Sequence, residues 1–119
     1  MHARSHRLQV RGKIWLEAKG RFALGDGGVR LLSEIDARGS IRVAAERVGW
    51  SYRHSLAYLG NAEAALGRSL VSRTRGGHQR GGATLTPEGH DLLARYRILR
   101  KGLDEALQRL SEAAFAGHA

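Results

Sequence analysis

The apolar positions change their period along the chain, and each change predicts a different element. From Lys13 the pattern alternates, with Ile14, Leu16 and Ala18 on one side and Trp15, Glu17 and Lys19 on the other, as a half-buried strand requires. Lys19-Gly20-Arg21 turns the chain into Phe22-Ala-Leu24, a short returning strand. Gly25-Asp-Gly-Gly28 is expected to break the chain, after which Leu31, Leu32 and Ile35 recur at helical spacing. A first helix is therefore predicted over about residues 27 to 38, stopped by Gly39.

Ser40 stands where an N-cap belongs, before a short helix whose Ile41, Ala44, Ala45 and Val48 make one apolar stripe, and Gly49 ends it. Ser51 caps a third helix running to about Leu66, with Leu56, Leu59 and Leu66 toward the core and the first turn, Tyr52 to Ser55, pointing outward. Gly67 stops it. Leu70 to Thr74 and Ala83 to Leu85 are β-prone runs joined by a glycine-rich loop, which predicts a hairpin with a long tip. Thr86-Pro87-Glu88 is a strong helix start. The helix that follows carries Leu92, Tyr96, Leu99, Leu103, Ala106, Leu110 and Ala113 at alternating spacings of four and three, the seam of a helix that pairs along its length. The expected fold class is mainly α with a small β component: a winged helix-turn-helix with an N-terminal hairpin and a long C-terminal dimerisation helix.

Length and charge narrow what such a fold is for. With 119 residues, 42% of them hydrophobic, the chain has room for one modest core. The organisation expected is a basic arm over 1–11, a DNA-binding unit over 12–85 and a pairing helix over 86–116. Twenty Lys and Arg against 11 Asp and Glu leave a net charge of +9, which favours a polyanionic partner through phosphate contacts and counterion release. The absence of cysteine excludes a disulfide framework and thiolate metal sites. No long apolar run follows the N-terminal arginines, so neither a signal peptide nor a membrane span is supported, and a cytoplasmic location is expected.

The second and third helices, joined tightly through Val48-Gly-Trp-Ser51, have the arrangement in which one helix crosses the DNA backbone and the next enters the major groove by its N-terminus. Ser51, Tyr52, Arg53 and His54 occupy the turn that meets DNA first, and Ser40 and Arg42 at the start of the preceding helix are counted with them. Arg53 suits either a phosphate or the O6 and N7 of guanine. No acid lies between Glu63 and Glu88, a span that includes Arg68, Arg73, Arg75 and Arg80. Glycines 76, 77, 81 and 82 let backbone approach phosphates there; Arg73, Arg75, His78 and Arg80 complete the candidate DNA contacts. The glycines do not form a nucleotide-binding loop, because no Gly-Lys-Ser/Thr opens a helix. The scattered histidines give no metal-ligand spacing, no Ser/His/Asp set comes with a supporting fold signal and Asp occurs only at 26, 36, 91 and 104, so no enzyme, metal or cofactor is expected. Trp15, Trp50 and Tyr96 read as core or interface aromatics rather than a base-stacking array.

At Gly39-Ser-Ile, Ala44-Ala45, Ser51-Tyr52-Arg53, Gly67 to Val71, Gly76-Gly77, Gly81-Gly-Ala83 and Leu85-Thr-Pro-Glu-Gly89, the chain resembles the N-terminal DNA-binding domain of the ModE family of molybdate-responsive regulators. The Gly-Ser, Ala-Ala and Leu-Thr-Pro-x-Gly elements are shared with LysR-type regulators, while the Ser-Tyr-Arg turn and doubled-glycine wing favour ModE. The resemblance covers about residues 12 to 110. It implies a winged helix-turn-helix homodimer on a palindromic operator, read by Ser51 to Arg53 and the wing and paired through the long helix. Two features depart from the family: Leu56 stands where tryptophan is frequent, and His78, Gln79 and Arg80 interrupt the wing glycines. The sequence ends at Ala119 without a molybdate-binding domain, so the expectation is a DNA grip without that sensor, with a separate effector-binding protein as a further partner. Two other readings stay open: a sequence-neutral architectural DNA-binding protein, and an interaction module that docks another regulator through the long helix.

Overall fold

The computed structural model describes residues 8–74 and 82–117, in the order β1 (Trp15–Ala18), β2 (Arg21–Gly25), α1 (Asp26–Arg38), α2 (Ile41–Val48), α3 (Tyr52–Leu66), β3 (Val71–Thr74), β4 (Gly82–Leu85) and α4 (Pro87–Ala114). Four helices and two antiparallel hairpins make it mainly α. Residues 1–7 of the expected arm, and the wing tip with Arg75, His78 and Arg80, lie outside the described residues.

The first hairpin follows its alternation, with Trp15 and Glu17 exposed and Leu16 and Ala18 half-buried. Lys19 and Gly20 both take positive φ, 55° and 77°, as a tight two-residue hairpin turn demands. Trp15 is no core residue: it stands more than half exposed, its indole N–H donating to Glu17 at 3.0 Å.

Gly25-Asp-Gly-Gly28 does not break the chain, because α1 starts at Asp26 and runs through both glycines. Their function is close packing. A Cβ on Gly27 would stand 2.9 Å from the Trp50 ring, and one on Gly28 would overlap Tyr58. The tyrosine hydroxyl accepts the Gly25 N–H at 2.9 Å, so α3 is bolted to the start of α1. Around this joint Leu24, Leu31, Leu32, Ile35, Leu59 and Leu70 form the core.

The inner face of α4 departs from the predicted seam. Tyr96 is only 2% exposed; its hydroxyl donates to the Asp26 carboxylate and lies 3.1 Å from the Ile14 carbonyl. Arg100 reaches the same carboxylate at 3.2 Å, and a Cβ on Gly12 would stand 3.0 Å from Leu107. Tyr96 is therefore committed to its own domain and cannot face a partner, since a buried hydroxyl goes where it is satisfied. Leu93, outside the predicted seam, is buried beside it in the core.

Tyr96→Phe should lower stability by about 1–2 kcal/mol in denaturant unfolding, because it strips a donor from Asp26. Burial first, and then the hydrogen bond to Asp26, push the Tyr96 hydroxyl well above its ordinary value of 10.0. A raised folded-state pKa means the contribution is complete below about pH 10 and is lost as pH climbs beyond it. Wild type and Tyr96→Phe should therefore converge in stability on the alkaline side; parallel curves would contradict the assignment.

Candidate nucleic-acid interface

The short connection between α2 and α3 is fixed from within. Gly49 takes φ 82°, which an L side chain rarely adopts, and the Trp50 N–H bonds back to the Ala45 carbonyl at 2.9 Å. Ser40 Oγ accepts the Val43 N–H at 3.1 Å, and Ser51 Oγ accepts the His54 N–H at 3.0 Å. Both serines of the candidate set are thus N-caps. Neither α2 nor α3 has an acid in its first turn, whereas α1 has Asp26 and α4 has Glu88. The positive ends of α2 and α3 stay uncompensated, an arrangement that favours an anion.

Ser55 corrects the expected outward-pointing first turn. It is fully buried, and its hydroxyl donates to the Ser51 carbonyl at 3.0 Å, so a position expected to point outward serves to lock the helix start. Tyr52 is half-buried, while Arg53 and His54 are exposed. The His54 ring meets Trp50 edge-on at 4.5 Å, Trp50 meets Tyr58 at 5.0 Å, and Tyr58 meets Phe22 at 6.0 Å. This aromatic run braces α3 against the first hairpin.

The buried side of α3, Ser55, Leu59, Ala62 and Ala65, leaves Arg53, Ala57, Gly60, Asn61 and Ala64 on the open side. Asn61 is the side-chain amide there, and asparagine matches the adenine edge in a major groove. The sequence reading passed over it. Taking the residues at helical spacing opposite Leu59 would have found it.

The wing is anchored at its base. In β3 and β4 Val71 pairs with Leu85 and Thr74 with Gly82; the Glu63 carboxylate of α3 accepts the Leu70 and Val71 N–H groups at 2.7 and 3.1 Å. The Ala83 N–H donates to the Gly39 carbonyl at 3.0 Å, in the turn between α1 and α2. Arg73 stands exposed on β3, and the Ala83–Gly39 hydrogen bond ties the base of the wing to the turn that leads into α2.

Several arginines elsewhere are occupied, while Arg21, Arg68 and Arg109 are exposed with no ion pair among the described residues. Arg30 donates to the Val48 carbonyl, Arg38 and Arg47 meet Glu34 at 3.2 and 3.8 Å, Arg97 meets Ser33, and Arg95 meets Asp91. Arg42, Arg53 and Arg73 have no carboxylate partner among the described residues; Arg42 instead lies over the Tyr52 ring, 4.1 Å from its centre. On α4, Leu99 and Leu110 are exposed, while Leu92, Leu103 and Ala106 are half-buried. Among the described residues no group of acids and histidines is arranged to hold a metal, and no helix is long and apolar enough to cross a membrane.

Residues 28–90 match the model of the bacterial regulatory helix-turn-helix proteins of the lysR family. The chain is 40% identical over 90 residues to the molybdenum transport protein ModE of Azotobacter vinelandii, covering 76% of this chain and 33% of that protein. It is 34% identical over 84 residues to the transcriptional regulator ModE of Haemophilus influenzae, covering 71% and 33% respectively. The chain thus spans about a third of the length of these relatives. Among solved structures, the DNA-binding domain of CbnR, crystallised with DNA, superposes with a TM-score of 0.60 at 24% identity, over 73% of this chain and 94% of that one. That likeness shows the winged helix-turn-helix fold.

Proposed function

Because the chain belongs to the bacterial regulatory helix-turn-helix proteins of the lysR family, we propose that it regulates transcription in the cytoplasm as a homodimer on an inverted-repeat operator. Residues 12–85 grip the duplex and the helix within 86–116 pairs the protomers. The observation that carries this reading is the pair of capped, acid-free helix starts brought together where Arg42 lies over Tyr52, with Arg53 and Arg73 exposed and without a carboxylate partner among the described residues. In this reading the exposed side of α3 lies along the major groove, with Arg53 in the first turn and Asn61 about two turns further on toward base edges, and Arg73 against phosphate. The half-sites lie about one helical turn apart, and repression by covering a promoter is the simplest mechanism.

Molybdenum in the name of the Azotobacter vinelandii ModE relative is the ground for proposing target genes in molybdenum or related oxyanion metabolism. Genome-wide mapping of bound sites tests that part, and operators lying nowhere near such genes would remove it.

Selection from random duplexes tests the core of the proposal, with an enriched inverted repeat as the expected result. A flat selection would favour the architectural reading, and a stable heteromer without DNA affinity would favour the interaction module. Arg73→Ala should weaken binding evenly across sequences and flatten the salt dependence by about one unit, as loss of a phosphate contact does. An unchanged slope would remove β3 from the contact surface.

A further inference from the structure

The Arg42 guanidinium of α2 lies over the Tyr52 ring at the start of α3. We infer that Tyr52 is a positioning residue for Arg42: its ring fixes the guanidinium between α2 and α3 and presents it to the DNA backbone. This rests on the DNA-binding reading above and names a division of labour within that site.

Arg42 is the second residue of α2 and Tyr52 the first of α3, so the pair spans the two helix starts that carry the uncompensated positive ends. The Arg42 guanidinium carbon lies 4.1 Å from the ring centre, well inside the reach of a cation–π contact. Glu46, one turn further along α2, has the spacing at which arginine often finds a carboxylate. No such ion pair forms, and no carboxylate among the described residues meets the Arg42 guanidinium. The guanidinium therefore keeps its charge uncancelled.

Stacking is a mode of restraint that leaves chemistry free. A guanidinium lying on a ring gives up its face, while the N–H donors in its plane remain available for the forked contact with a phosphate. Tyr52 is itself half-buried at a capped helix start, which makes it a fixed platform. A long side chain already held in its bound position loses less rotamer freedom on binding. One phosphate contact of each half-site thus depends on the face of Tyr52, with no base read by its hydroxyl.

The test is equilibrium binding of the full chain to mixed-sequence duplex DNA across a salt series. Arg42→Ala should flatten the salt slope by about one unit. Tyr52→Ala should weaken binding by about two- to five-fold and give much of the same flattening, with no further loss when it is added to Arg42→Ala. Tyr52→Phe keeps the ring and should recover what Tyr52→Ala loses. Should Tyr52→Ala unsettle the start of α3, Tyr52→Leu keeps an apolar side chain there without a π-face and should show the same flattening. If Tyr52→Ala and Tyr52→Leu keep the wild-type slope, or if Tyr52→Phe fails as Tyr52→Ala does, the inference falls while the regulator reading stands. If the wild-type chain has no affinity for duplex DNA, the regulator reading itself falls.

Discussion

Gly89→Ala should be among the most damaging single-methyl changes in this protein, lowering stability by about 3 kcal/mol, the upper end of the cost of overpacking. Gly89 is buried in the first turn of α4, and a Cβ there would overlap the Leu70 carbonyl oxygen and stand 3.2 Å from its carbon. Side chains can turn aside from an added methyl, but this obstacle is backbone held from several directions. The Leu70 carbonyl accepts the Thr86 N–H at 2.9 Å, the Leu70 N–H is fixed by Glu63, and the Thr86 hydroxyl donates to the Ser69 carbonyl at 2.7 Å. Relief requires α4 to lift away from β3, which would drag Leu93 and Tyr96 from the core. Gly60→Ala is the matched control, since nothing lies within 4 Å of its added Cβ. There the same substitution should stabilise by up to about 1 kcal/mol through helix propensity. Chemical denaturation of both variants checks the pair, and a Gly89→Ala chain as stable as wild type would contradict the packing.

These glycines mark the limit of what the sequence makes legible. Gly39, Gly49 and Gly67 each follow an apolar helical stripe, and each takes the left-handed conformation that such a position calls for, so their function as stops can be read locally. Gly27, Gly28 and Gly89 are required for the opposite reason. They sit inside helices and make room for Trp50, Tyr58 and the Leu70 backbone, neighbours distant in sequence. A local reading meets Gly25-Asp-Gly-Gly28 as a break, because nothing nearby announces the tyrosine that lands on it.

The same distinction runs through the interface. Caps at Ser40, Ser51 and Thr86 are legible because the bond each makes is only three residues long. The helix pair and the wing strands follow from period and turn chemistry. Ser55 escapes such reasoning: a serine in a first turn reads as exposed, yet here it faces inward and bonds to the carbonyl of the cap residue. Tyr96 fits the heptad spacing, but that spacing states only that a face is apolar, not what covers it. Its partner is Asp26, seventy residues earlier in the chain, held together with Arg100.

Removing Tyr96 from the seam sharpens the second large prediction, for the variant combining Leu99→Glu with Leu110→Glu. The inner face of α4 is taken up by its own domain through Leu93, Tyr96, Arg100 and Leu107. Flanking that face, Leu99, Leu103, Ala106 and Leu110 keep the four-three-four spacing, with Leu103 and Ala106 half-buried and Leu99 47% and Leu110 64% exposed. A helix of 28 residues is about 42 Å long, enough to carry this stripe beyond the winged helix. Burying a leucine contributes roughly 1.5–3 kcal/mol, so two charges at these positions should turn a dimer into monomers. Each winged helix would then meet its half-site alone, and affinity for a full inverted repeat should drop by about a hundred-fold or more. Binding to a duplex carrying one half-site should stay near the wild-type level, because α3 and the wing are untouched. Sedimentation would show the change in mass and titration of the two duplexes the change in affinity. A double variant that remains dimeric would place the pairing surface elsewhere, and equal loss on both duplexes would mean that the helix supports the fold of the reading head instead of joining two of them.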